Sequence, residues 1–141
     1  MHYFKGVHML AIGSVAKQLG CSIETLRYYE KIGLVSPAHR SDGRHRFYSD
    51  QQVKELRFIM SAKKLGFSLE EIASLIKLGK TSKDCRPVLA LVDQQINIIQ
   101  EKISQLQRLN VAMHTLATEC RSCCAFDPSA NACTIIEALN T

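Results

Sequence analysis

The sequence predicts a mainly helical protein: a winged helix-turn-helix, then a long coiled-coil helix, then a short cysteine-bearing C-terminal loop. Three observations carry that expectation. Two short amphipathic segments flank the turn Gly20-Cys21-Ser22 and are followed by a hairpin marked by Pro37 and Asp42-Gly43. From Cys85 to Thr118 no glycine interrupts a ladder of apolar residues spaced by three and four. The stretch "ECRSCCAFDPSANAC", residues 119–133, then gathers four of the six cysteines.

The totals set the frame. A chain of 141 residues that is 46% hydrophobic can pack one domain, or one domain plus an extended element. It has no apolar run of about 18 residues, so no segment is expected to span a membrane. The start "MHYFKGVHML" has one lysine and too short an apolar stretch for a secretory signal, which points to the cytoplasm. In a reducing compartment, clustered thiols point to metal or redox chemistry before structural disulfides. The net charge of +5 is uneven. Residues 1–80 hold 13 Lys/Arg against 7 Asp/Glu, whereas residues 81–141 hold 5 against 6. The first part is therefore the candidate surface for a polyanion.

Taken in order, residues 1–9 form an N-terminal extension, with residues 1–8 expected to be loose. "IGSVAKQL" places Ile12, Val15, Ala16 and Leu19 on one helical face, and Gly20 ends it. Ser22 caps the next helix, "IETLRYYEKIG", which stops at Gly33. Two short helices across a Gly-containing turn make a helix-turn-helix. "RHRFY" alternates as a strand, so "LVSPAHRSDGRHRFYSD" reads as holding a small β-hairpin wing with its tip at Asp42-Gly43. Ser49 with Gln52 and Ser68 with Glu71 are capping boxes, opening helices that carry Val53, Leu56, Ile59 and Met60, then "LEEIASLIKL" to Gly79. The winged domain thus covers residues 10–80.

A dimerisation helix covers residues 81–118. Its seam runs Cys85, Leu89, Val92, Ile96, Ile99, Ile103, Leu106, Asn110, Met113 and Ala117, nearly five heptads. At about 1.5 Å per residue such a helix is roughly 50 Å long, longer than the basic domain it would cover. A second copy of the chain is the simplest partner. Asn110 costs stability in that seam and can fix its register. Residues 119–141 remain for a cysteine loop and a short helix.

In a helix-turn-helix the second helix offers its N-terminal residues to the major groove. Here that face carries Glu24, Thr25, Arg27, Tyr28 and Lys31. Arg27 suits a guanine edge or a phosphate, and Tyr28 a phosphate oxygen. The wing adds His39, Arg40, Arg44, His45, Arg46 and Tyr48, a dense donor set for the DNA backbone. No nucleophile–base pair, phosphate loop or paired acidic site points to an enzyme.

The motifs "IG..AK", "ETLRYYE..GL", "R..G.R.Y", "V..L.FI" and "LGFSL.EI" occur in order within residues 12–76, and the chain resembles the MerR family of transcription regulators over about residues 10–139. The resemblance implies a homodimer on promoter double-stranded DNA, bending and untwisting the promoter spacer. Inducer then switches RNA polymerase from repression to activation. It transfers DNA contact to Arg27, Tyr28, Arg44 and Tyr48, and more loosely to Lys17 and Arg40. It also implies that the two long helices run antiparallel.

That arrangement gives the thiols a shared place. Cys120 lies 35 residues after Cys85 on the same helical face, so an antiparallel partner brings its Cys85 to this chain's cysteine segment. Cys85 of one chain with Cys120, Cys123, Cys124 and Cys133 of the other offers five soft ligands for a divalent ion such as Zn(II), Cd(II), Pb(II) or Hg(II). Asp127 and His114 are lesser candidates. Within the resemblance, a cysteine heading the long helix matches divalent-metal sensors, as does the spacing from Cys124 to Cys133. The absence of a histidine between those two cysteines departs from the zinc sensors and leaves cadmium, lead and mercury open. The alternative is a thiol or iron–sulfur redox sensor of the same fold. Cys21, in the turn, is expected to be structural.

Overall fold

The computed structural model describes residues 2–4 as backbone, and residues 6–123, 129 and 132–141 in full. The chain divides into two units, residues 1–91 and residues 92–141. Among the described residues no helix is long and apolar enough to cross a membrane.

The first unit begins with strands β1 (His2–Phe4) and β2 (Val7–Ala11), followed by helices α1 (Ile12–Leu19) and α2 (Ile23–Lys31). Gly20 closes α1 in the left-handed region at φ 67°, and its amide donates to the Ala16 and Lys17 carbonyls. Ser22 then caps α2 by accepting from the Thr25 amide at 3.1 Å. The expected helix-turn-helix is present at these bounds. Strands β3 (His39–Arg40) and β4 (Arg46–Ser49) form the wing. Its tip is the turn Ser41–Arg44, closed by the Arg44 amide on the Ser41 carbonyl at 2.8 Å. The left-handed residue there is Arg44, at φ 60°, while Gly43 keeps its φ negative.

Helices α3 (Asp50–Lys64) and α4 (Leu69–Thr81) complete the unit. Both capping boxes form: Ser49 and Gln52 exchange hydrogen bonds at 3.2 and 2.9 Å, and Ser68 and Glu71 at 3.1 and 2.7 Å. Helix α4 runs two residues past Gly79, so that glycine does not stop it. The core gathers one or two large side chains from each helix: Val15, Leu26, Leu56, Ile59 and Ile72 are fully buried, together with Tyr48 of the wing. These contacts hold α2 and β4 on one scaffold.

Two further expectations change. Residues 1–8 were expected to be loose, yet β1 and β2 form an antiparallel hairpin, with Tyr3 opposite His8 and Phe4 opposite Val7. Strand β2 also pairs with β4, giving a four-stranded sheet in the order β1-β2-β4-β3. Gly6, at φ 79°, turns the hairpin, and Met9 of β2 is buried.

The second change concerns helix α5 (Arg86–Cys123), which begins in the first unit and accounts for most of the second. It opens with the Leu89 amide donating to the Cys85 carbonyl at 2.8 Å, and it continues past Thr118 through Cys120 to Cys123. No Gly or Pro stands between Thr118 and Pro128 to stop it earlier. Cys120 and Cys123 are therefore helical, not loop, residues. Helix α6 (Thr134–Leu139) follows, with Cys133 at its N-cap position. Most of α5 is exposed: Leu89, Val92, Ile96, Ile99, Ile103, Leu106 and Met113 all leave apolar side chains open to solvent.

Candidate functional site

Two groups of side chains stand out. The first is built on α2 and the wing. Leu26 and Tyr29 are the buried face of α2 and anchor it, which turns Glu24, Arg27, Tyr28 and Lys31 outward. Arg27 is about half exposed, and its guanidinium Nη1 donates to Glu24 Oε1 one turn earlier at 3.1 Å. Such an exposed pair contributes little stability, so the guanidinium is available to a phosphate or base edge. Tyr28 is 51% exposed. Thr25 is half-buried and already engaged in the cap, its hydroxyl 2.8 Å from that of Ser22. Lys17, on the last turn of α1, is exposed, as are Arg40 and Arg44 on the wing.

Arg46 and Tyr48 sit differently. The Tyr48 ring is wholly buried, and its hydroxyl donates to Glu30 Oε2 at 3.3 Å. Burial, reinforced by the Glu30 charge, pushes its pKa up to about 12. Arg46 Nε lies 3.4 Å from the same carboxylate oxygen, with both side chains mostly covered. Glu30 was absent from the sequence-level candidates. It lies 16 and 18 residues from its partners, and no local pattern marks the contact.

The second group is the cysteines. Cys85 is exposed just before α5, Cys120 is half-buried in the last turns of that helix, and Cys123 is exposed one turn further on. Cys133 is half-buried at the start of α6. Cys124 and Asp127 lie outside the described residues. Because α5 is continuous from Arg86 to Cys123, helical rise alone separates Cys85 from its own chain's Cys120 by roughly 50 Å. Among the described residues, no three His, Cys, Asp or Glu side chains of the single chain converge on a metal-sized position. The donor chemistry nevertheless suits a soft divalent ion, since thiolates are its preferred ligands. Cys21, in the helix-turn-helix turn, packs against the core, and burial raises its thiol pKa.

Comparison with known proteins agrees with this geometry. Residues 10–79 match the family described as MerR HTH family regulatory protein, and residues 53–116 match that described as MerR, DNA binding. The chain is 32% identical over 133 residues to the HTH-type transcriptional regulator ZntR of Escherichia coli (strain K12), covering 93% of this chain and 92% of that one. It is 33% identical over 118 residues to the mercuric resistance operon regulatory protein of Serratia marcescens, covering 84% and 81%. Among solved structures it is similar to the transcription regulator PbrR691 from Ralstonia metallidurans CH34 in complex with lead(II), with a TM-score of 0.73 and 30% identity over 91% of this chain and 97% of that one. A winged helix-turn-helix with an exposed basic face, a long exposed helix and these matches together place the chain in the MerR family of HTH regulatory proteins.

Proposed function

We propose that the protein is a cytoplasmic, metal-responsive transcription regulator. It binds promoter double-stranded DNA as a homodimer and activates RNA polymerase when a soft divalent ion binds cysteines shared between subunits. The observation that carries this reading is the placement of thiols at both ends of one long helix whose seam is exposed. An antiparallel second copy covers that seam and joins the two ends.

The seam residues are self-complementary when reversed. Pairing Ile99 with Ile103 of the partner subunit also pairs Ile96 with Leu106, Val92 with Asn110, Leu89 with Met113 and Cys85 with Ala117. Cys120 of the partner subunit then lies one helical turn beyond Cys85. The residues proposed to hold the ion are Cys85 from one subunit with Cys120, Cys123, Cys124 and Cys133 from the other, and one of the five is a spare or a bridge. The relatives named for mercuric resistance, or solved with lead(II), support a divalent ion as the inducer. The ion acts by its differential affinity for one dimer conformation, which is how binding at the coil reaches the DNA. Lys17, Thr25, Arg27, Tyr28, Arg40 and Arg44 are the proposed DNA-facing set.

In vitro transcription from a promoter the protein binds tests the proposal. Reduced apo-dimer receives Zn(II), Cd(II), Pb(II) or Hg(II) singly, beside an oxidant control. Activation by at least one ion without oxidant is expected. Activation by oxidant alone, with every ion inert, would replace the metal site with a thiol or iron–sulfur switch.

A further inference from the structure

Glu30 occupies the junction between the recognition helix and the wing. It lies near the C-terminal end of α2, with its side chain only 11% exposed. One of its oxygens, Oε2, faces two groups of β4: the Tyr48 hydroxyl at 3.3 Å and Arg46 Nε at 3.4 Å. Arg46 and Tyr48 are two residues apart, so they share one face of the strand. Arg46 Nε is buried and makes no hydrogen bond among the described residues, which leaves the Glu30 charge as its compensation. β4 is an interior strand. Arg46 pairs with Arg40 of β3, and Tyr48 with Leu10 of β2. Whatever holds β4 therefore holds the whole wing, including the exposed Arg40 and Arg44.

We propose that Glu30 is a positioning residue that locks the wing to the recognition helix through Arg46 and Tyr48, setting the spacing at which Arg27 and the wing arginines meet DNA. The inference rests on the DNA-binding reading above. Arg46 and Tyr48 then serve recognition without touching the duplex. A buried hydroxyl committed to a carboxylate has no free donor for a phosphate. A guanidinium facing a carboxylate in a water-poor junction stabilises that junction only while the partner is present. Loss of Glu30 leaves one hydroxyl and one cation of β4 uncompensated, and the wing loses its fixed angle while the helix core stays packed.

The test uses the full-length protein and a duplex selected from a random-sequence pool by the unsubstituted protein. Affinity over a salt series, hydroxyl-radical footprints and thermal midpoints are measured for Glu30→Gln, Arg46→Gln and Tyr48→Phe. Glu30→Gln is expected to weaken selected-duplex binding about tenfold, the scale of a lost charge-assisted hydrogen bond. Its footprint should lose backbone protection beneath the wing and keep that beneath the recognition helix. A merely destabilised fold would lose both together. Arg46→Gln should give the same footprint with an unchanged salt slope. A fall in that slope of about two, roughly 0.9 for each subunit, would make Arg46 a phosphate ligand and overturn the proposal. So would an intact footprint and affinity in Glu30→Gln. If Glu30→Gln does not fold, Tyr48→Phe decides, since it keeps the ring and removes only the hydroxyl: weakened wing protection is expected, and an unchanged footprint overturns the proposal. Failure of the unsubstituted protein to select any duplex would instead overturn the DNA-binding reading itself.

Discussion

Ile103 offers a quantitative handle on the dimer. It lies in the middle of α5 and is 49% exposed in the single chain, whereas the pairing above covers it with Ile99 of the partner subunit. A fully buried Ile→Ala change costs about 2–5 kcal/mol. Half of that burial is already present within the chain, so the share lost at the interface is about 1–2 kcal/mol per subunit. Both subunits carry the change, giving about 2–4 kcal/mol per dimer and a rise in the dimer Kd of roughly 30- to 1000-fold. Ile98 is the control. It lies five residues before Ile103, is 37% exposed and sits off the seam, so Ile98→Ala should leave the constant nearly unchanged. Sedimentation equilibrium on the apo-protein measures both, with circular dichroism confirming equal helix content. Equal effects of the two substitutions, or no effect of Ile103→Ala, would refute the seam.

Other consequences follow from the first unit. Arg27→Ala should abolish selective promoter binding in gel-shift titrations while leaving the melting curve in place, because the half-exposed Arg27 pairs with the exposed Glu24, a contact of little stabilising value. Tyr48, held at about 12 against an ordinary value near 10, makes stability full below about pH 10 and lost as pH rises towards 12. Urea midpoints over that range should fall by the equivalent of about 2 kcal/mol, and Tyr48→Phe should flatten the fall. Ser68→Ala should cost about 1 kcal/mol of stability, since it removes the hydroxyl capping α4. Gly20→Ala should cost a similar amount of about 1 kcal/mol by denaturant titration, for its φ of 67° is strained for alanine although the space around it is open.

The legible parts of the fold were those whose cause is local. Ser49-x-x-Gln52 and Ser68-x-x-Glu71 announce their helices because each box satisfies amides within four residues. Gly20 ends α1 for an equally local reason. The N-terminal hairpin was missed because two short strands about Gly6 become stable only when β2 finds β4 some 38 residues away. The same limit applies at the site. Alternation in "RHRFY" puts Arg46 and Tyr48 on one face and Phe47 on the other, but does not reveal that packing covers both, leaving Phe47 and Tyr48 alike buried. Tyr48 therefore reads as one more donor of the wing, and no local pattern singles out Glu30. The cysteine spacing was legible along α5, since helical rise is fixed. Their proposed convergence rests on the antiparallel pairing of two chains rather than on that spacing alone.

Mixed dimers test the shared site most directly. Cys85→Ser and Cys120→Ser chains are prepared separately, reduced, and combined, and bound Cd(II) is counted by its thiolate absorbance. Each variant alone should bind no ion tightly at the shared site. In the mixed dimer, Cys85 from the Cys120→Ser chain meets Cys120 from the Cys85→Ser chain, so one tight site per dimer should return. If mixing restores nothing while the unsubstituted dimer binds tightly, the ligands come from one chain and the shared site is wrong.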